Sequence, residues 1–232
     1  MKRVLITGSN RGLGLAFTKE TMDRGHRVFA TCRRPDEAQD LLRIHEQNPD
    51  RITVLRLDVT DRKSIEAASE AVADQEEALD LLINNAGVNP KGEHLGNLDA
   101  ETMLHTYHVN AVGPMLVAQA HLDLLRAGND TRILNISSTS GSLTQKSSGG
   151  GYSYSSSKSA LNMLTRALAF DLKADGIIVA AFHPGWVKTD MGGSAARLSP
   201  DESVKGVLDV AARLSLSDTG SFYYHDGREA PW

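Results

Sequence analysis

Residues 4–14 read VLITGSNRGLG, an apolar run that ends in a glycine-rich turn. The run suits a strand covered on both faces, and residues 15–24 that follow have helical spacing. Gly8, Gly12 and Gly14 therefore fall between a first strand and a first helix. Glycines there permit a tight turn and bring backbone close to a pyrophosphate seated on the helix amino terminus. The spacing is GxxxGxG, neither the usual GxGxxG nor the GK[ST] ending of a triphosphate loop. The candidate cofactor contacts in this stretch are Gly8, Asn10, Arg11, Gly12, Leu13 and Gly14.

The alternation continues along the chain. Short apolar runs at 27–32 (RVFATC), 52–59 (ITVLRLDV), 79–84 (LDLLIN), 132–137 (RILNIS), 177–182 (IIVAAF) and 221–225 (SFYYH) read as buried strands. Residues 37–47, 63–77, 100–126, 152–174 and 200–214 carry helical spacing. Asp61 and Ser64 can cap the third helix, Ser199 before Pro200 can open the last, and Gly25 and Gly176 suit helix stops. Strand and helix in strict alternation imply right-handed βαβ units, hence an α/β fold on a parallel sheet. No linker or repeat divides the chain, so a single domain over 1–232 is expected.

Composition narrows the function classes. The net charge of −4 argues against a general nucleic-acid or membrane-surface binder. Cys32 is the one cysteine, so no internal disulfide can form. No apolar run approaches the ~18 residues of a membrane span, and the start lacks a secretory pattern; a soluble cytoplasmic protein is expected. His105 and His108 are three apart, but no third ligand is placed by spacing and no HExxH occurs, so no metal is expected.

The second strand indicates which dinucleotide. An acidic residue about 20 positions beyond the glycines would bind a ribose 2′-hydroxyl, whereas arginine accommodates a 2′-phosphate. Here the chain reads TCRRP, with Arg33 and Arg34 and no carboxylate, and Arg11 can add a further positive charge. Asp36 follows Pro35 and is assigned to the next helical turn. NADP(H) is expected over NAD(H).

TGSNRGLG, LDVT, NNAG, the Val109–Asn110 pair, ISS, YSSSK and HPGWVKTD occur in the order and spacing of the short-chain dehydrogenase/reductases, which this sequence resembles from residue 1 to about 191. The SNRGLG and GGGYSY stretches and the DGREAPW end are most similar to the C-factor/sniffer-type carbonyl reductase branch. The resemblance implies a Rossmann-type doubly wound parallel sheet of about seven strands, order 3-2-1-4-5-6-7, with helices on both faces. It also implies hydride transfer between nicotinamide and a carbonyl or alcohol.

GGGYSYSSSK offers two phenols to one lysine. Residues four apart share a helix face and residues six apart do not, so Tyr154 pairs with Lys158 and Tyr152 is left for packing or substrate. The family pattern YxxxK agrees. A neighbouring ammonium and the oxidised nicotinamide are expected to lower the Tyr154 pKa toward the useful range. By family position, Ser138, three residues before Gly141, holds the substrate carbonyl, with Ser137 as the alternative. The loop from Ser138 to Tyr154 is a few residues longer than is common in the family. Asn110 resembles the asparagine whose backbone carbonyl kinks a helix and holds a relay water for Lys158, which itself also holds ribose hydroxyls. Asp58 and Val59 resemble the pair that meets adenine. Asn84, Ala86 and Gly87 are implied on the adenosine ribose side and in support of the sheet. Pro184, Gly185, Val187 and Thr189 resemble the segment that orients the nicotinamide.

The lid region is short, about 191–200, and carries few bulky apolar residues. An open site for small or medium carbonyls is therefore expected, lined by Leu143, Tyr152, Trp186 and Met191. A homodimer is expected from the resemblance, with a monomer as the alternative. Two rival functions share these motifs. One is a dinucleotide-binding signalling or sensor protein with little turnover, and the other is a 3-oxoacyl-carrier-protein reductase.

Overall fold

Arg3–Thr7 forms strand β1 inside the sheet, and every later strand is laid down parallel to it on one side or the other. The computed structural model describes residues 1–232. The strands are β1, β2 (Arg27–Cys32), β3 (Ile52–Arg56), β4 (Leu81–Asn84), β5 (Arg132–Ile136), β6 (Ile178–His183) and β7 (Phe222–Tyr224), in the order β3-β2-β1-β4-β5-β6-β7. The order reverses between β1 and β4, which opens a crevice at the carboxyl ends of the strands, where α/β sheets bind ligands.

Two helical layers bury the strand side chains. On one face α1 (Gly12–Asp23), α2 (Gln39–Gln47) and α8 (Pro200–Arg213) pack Phe17, Leu41, Val204 and Val207 against Val4, Ile6, Val28 and Phe182. On the other, α3 (Arg62–Ala73), α5 (Gly113–Ala120), α6 (Leu122–Arg126) and α7 (Tyr152–Leu172) pack Ile65, Val117, Leu125 and Leu172 against Leu5, Leu82, Ile133 and Val179. Both faces are covered, which accounts for strands rich in Val, Ile and Leu with little polar alternation. At the amino ends of the strands, Arg3 grips the buried Asp80 in a two-pronged pair at 2.9 and 2.8 Å.

Several expected boundaries move. The third strand stops at Arg56 rather than continuing to residue 59. Beyond it the Asp58 N–H turns to the Ser64 hydroxyl at 3.0 Å, and the Asp58 carboxylate accepts the Thr60 N–H at 2.9 Å. Ser64 therefore serves the preceding loop, and Asp61 alone caps α3 through the Lys63 N–H. Ser199 and Glu202 form a reciprocal capping box ahead of α8, with Pro200 in its first turn.

The segment 100–126 is not one helix. It divides into α4 (Ala100–Tyr107), a π-helical turn His108–Val112, α5 and α6. Pro114 explains the break: it has no N–H to give to the Asn110 carbonyl, four residues back. The Gly113 N–H bonds the His108 carbonyl five residues back instead.

Candidate active site

The crevice holds a cavity of about 490 Å³ at the carboxyl ends of β1, β2, β4 and β5. Gly8, Asn10, Arg11, Gly12, Leu13 and Gly14 form one wall. Gly8 has φ 71° and Gly12 φ 54°, backbone that side chains resist. A Cβ on Gly14 would lie 2.0 Å from the Gly8 carbonyl oxygen, so only glycine lets α1 start against the turn. Asn85 locks this turn to β4, donating its amide to the Thr7 and Gly8 carbonyls at 2.9 and 3.2 Å. The Thr7 hydroxyl answers by accepting the Asn85 and Ala86 N–H groups at 3.0 and 3.1 Å. The result is a rigid cradle of backbone, the kind of surface that accepts a pyrophosphate.

Arg33, Arg34, Asp58 and Val59 line the next part of the cavity, together with Cys32 and Glu37. Arg34 pairs with Glu37 at 3.0 Å. Glu37, five residues beyond the second strand, brings a carboxylate to this end of the cavity, while Asp36 stays outside it. Burial works to raise the Asp58 pKa, but two hydrogen bonds from Thr60 and the charges of Arg33 and Arg56 leave it below the ordinary value. Burial pushes the Cys32 thiol up, as suits a packed side chain. Arg11 points the other way, to Asp190 across the cavity mouth at 2.5 Å.

Ala86 and Gly87 line the cavity beside β4, but Asn84 does not. Its side chain is buried beneath, donating to Asn135 Oδ1 at 2.9 Å and the Pro114 carbonyl at 3.3 Å. Asn84 thus ties β4 to β5 as a support of the sheet, and its expected place on the cavity is corrected by one position: Asn85 faces the cavity, since successive residues of an extended chain point to opposite sides.

Helix α7 places Tyr154 and Lys158 one turn apart on the cavity wall. The Lys158 ammonium is buried, donates to the Ile136 carbonyl at 2.7 Å and lies 5.8 Å from the centre of the Tyr154 ring. Ser138 follows β5 in extended backbone beside the Tyr154 phenol, and its hydroxyl accepts the Ser140 N–H at 3.1 Å; Ser137, not Ser138, is on the cavity lining. A Cβ on Gly141 would strike the Lys158 carbonyl carbon at 2.6 Å, so glycine lets the turn Thr139–Gly141 rest on α7. The Ser137 hydroxyl is already committed to Asn162 Oδ1 at 2.5 Å, which separates it from Ser138.

Burial raises the Tyr154 pKa, and the Ser138 hydrogen bond opposes this without overcoming it. The expected lowering by Lys158 is thus absent from the protein alone. Burial also depresses Lys158 to about 8. Asn110 sits in the π-helical turn, with its amide held by Val88 and Ser157.

Pro184 and Thr189 line the cavity, as does Met191. Val187 lies behind the wall, buried and bridged to Leu198. Gly185, with φ 85°, has Leu198 Cδ1 2.4 Å from where a Cβ would sit. Among the expected substrate contacts, Leu143 and Trp186 stand out toward solvent, at 82% and 51% exposed. Trp186 donates its indole N–H to the Gly192 carbonyl at 2.8 Å. Tyr152 is half-buried at the start of α7 and does not line the cavity.

A family model described as short chain dehydrogenase matches residues 2–198. The chain is 43% identical to C-signal of Myxococcus xanthus over 154 residues, 66% of this chain and 93% of that protein. It resembles the crystal structure of NADPH-bound carbonyl reductase from chicken fatty liver, with a TM-score of 0.94, 38% identity and coverage of 100% and 99% of the two chains. The carbonyl reductase Sniffer of D. melanogaster superposes with a TM-score of 0.95 at 33% identity over the whole of both chains.

Proposed function

We infer the activity from one premise: this chain belongs to the short-chain dehydrogenase family. It is an NADP(H)-dependent oxidoreductase that moves a hydride between nicotinamide and a small or medium carbonyl or alcohol. The observation that carries this reading is Tyr154 and Lys158 one helical turn apart on the wall of the glycine-lined cavity, with Ser138 beside the phenol. The residues fit the dinucleotide: the cradle at Gly8–Gly14 leaves room that a Cβ would fill, and Arg33 and Arg34 stand where a 2′-phosphate would lie. NADPH bound to the chicken carbonyl reductase supports the same choice here.

When bound, NADPH would supply a hydride for the carbonyl carbon. The Tyr154 hydroxyl gives its proton to the carbonyl oxygen, and the Ser138 hydroxyl donates a hydrogen bond to that oxygen. Lys158 stabilises the phenolate left on Tyr154 and would hold the nicotinamide ribose. Asn110, whose backbone carbonyl loses its α-helical donor at Pro114, holds a water that returns the proton through Lys158. Asp58 and Val59 would meet adenine, Ala86 and Gly87 the adenosine ribose side, and Pro184 and Thr189 the nicotinamide segment, with Val187 packed behind them. Residues 191–200 form a short lid over an open substrate site within one domain, 1–232. Exposed Met163 and Phe170 on α7 and Leu104 on α4 support a homodimer. No helix is long and apolar enough to cross a membrane, which suits a cytoplasmic enzyme.

The test combines binding with turnover. NADPH and NADH are titrated by fluorescence, and NADPH oxidation is followed on a panel of small aldehydes and ketones. Tighter NADPH binding and turnover of several carbonyls are expected; equal affinities would remove the 2′-phosphate assignment. The likeness to C-signal favours a second reading, a dinucleotide-binding signalling protein, and tight NADPH binding without turnover would support it instead.

A further inference from the structure

Helix α7 starts without a local cap. Its N-cap residue, Gly151, has φ 60° and no side chain to accept an N–H. Gly150 before it also has positive φ, 79°. The cap comes from elsewhere in the chain: the Glu93 carboxylate accepts the Ser153 N–H at 2.8 Å and also accepts the Ser153 hydroxyl. A carboxylate at a helix amino terminus satisfies an unpaired donor and is favoured by the helix dipole. A Cβ on Gly150 would come within 3.2 Å of the Glu93 carbonyl oxygen, so the glycine run also lets the helix start close to this residue.

Glu93 lies in the loop that follows β4, and that loop is fastened to α7 a second time. The Asn110 side chain accepts the Val88 N–H and donates to the Val88 carbonyl, each at 2.8 Å, and donates to the Ser157 hydroxyl at 3.0 Å. The two clasps reach α7 at Ser153 and Ser157, one residue before Tyr154 and three after it. Val88 lines the cofactor cavity and Glu93 does not. Glu93 bonds the start of α7 directly, so the helix start is the route by which it can act on Tyr154.

We propose that Glu93 is a positioning residue, a remote cap from the loop after β4 that fixes the first turn of α7 and so aims the Tyr154 hydroxyl at the substrate oxygen. This rests on the assignment of Tyr154 as the proton donor. It also gives the long glycine-rich loop before Tyr154 a task, since a bulkier or shorter approach would keep the helix start away from Glu93.

Two readouts on the full chain separate this proposal from the activity it rests on. Amide hydrogen exchange in the first turn of α7 needs no turnover. In Glu93→Ala it is expected to quicken roughly fivefold to tenfold, as loss of a cap requires, and Glu93→Gln, which keeps an acceptor, should restore most of the protection. Steady-state reduction of a small aldehyde should lose about tenfold in kcat in Glu93→Ala, with NADPH affinity within about twofold of the parent and rescue by Glu93→Gln. Unchanged exchange in Glu93→Ala overturns the proposal whatever the turnover; faster exchange with unchanged kcat overturns its functional part. If the parent protein reduces no carbonyl, the proposed activity fails, and the exchange arm still decides the clasp. Should Glu93→Ala not fold, Ser153→Ala removes one of the two bonds. It is then expected to quicken exchange and lower kcat by roughly twofold to threefold, and no change in either would overturn the proposal.

Discussion

The two sides of the cleft are built by different means. On the cofactor side, the wall is backbone held by buried partners: Asn85 and Thr7 lock the glycine turn, and Lys158 is anchored to Ile136. On the substrate side, the expected lining faces solvent, Leu143 at 82% and Trp186 at 51% exposed. A side defined by backbone presents one shape to one ligand. A side defined by exposed side chains on loops can change its lining with little cost to the sheet beneath it. The same strand ends thus carry a fixed coenzyme seat and an adjustable substrate mouth.

The contrast predicts a ranking of effects. The largest belongs to the backbone cradle. Gly14→Ala puts a methyl 2.0 Å from the Gly8 carbonyl and should weaken NADPH binding on the order of a hundredfold or more, or prevent folding, as read by fluorescence titration and circular dichroism. Near-parental affinity there would show that the cradle is not rigid. Next comes the 2′-phosphate end. Arg33→Ser should cost about tenfold to a hundredfold in NADPH affinity and leave NADH affinity nearly unchanged, because only a charge-assisted contact to the extra phosphate is lost.

The pH dependence of carbonyl reduction tests the fixed side through its chemistry. Burial depresses Lys158 to about 8, so its ammonium is present below that pH and lost above it. Reduction also needs the phenol protonated, and the raised Tyr154 pKa keeps it so through neutrality. The kcat for reduction should therefore be level at neutral pH and fall as pH rises through about 8. A reductive rate that climbs through that range would contradict this assignment. The smallest effect belongs to the substrate mouth. Trp186→Ala removes the indole bond to Gly192 and should shift KM by roughly threefold to tenfold, differently for each carbonyl, with NADPH affinity unchanged.

Legibility in the sequence followed the same divide. The parallel sheet was readable because both its faces are covered, so its strands are uninterrupted runs of Val, Ile and Leu. The glycine turn was readable because φ above zero and close backbone approach demand one residue type. The pairing of Tyr154 with Lys158 followed from the pitch of a helix, which needs no tertiary information. Contacts that depend on distant partners were not readable. Glu93 and Ser153 meet across sixty positions, and nothing local marks either as a partner. Asn84 and Asn85 look alike in sequence, and only the direction each faces at the end of β4 assigns one to the sheet and the other to the cavity. Pro114 was a local signal for the break in the segment 100–126, since proline removes a helical donor wherever it stands.

The most direct trial sets the two phenols at the start of α7 against each other. NADPH oxidation by a small aldehyde is measured for Tyr154→Phe and Tyr152→Phe under the same conditions, with NADPH affinity as the control. Tyr154→Phe should lose roughly a hundredfold to ten-thousandfold in kcat while still binding NADPH, and Tyr152→Phe should stay within a few-fold of the parent. Loss of turnover with Tyr152→Phe and retention with Tyr154→Phe would place the proton donor on the wrong residue and contradict the site built here.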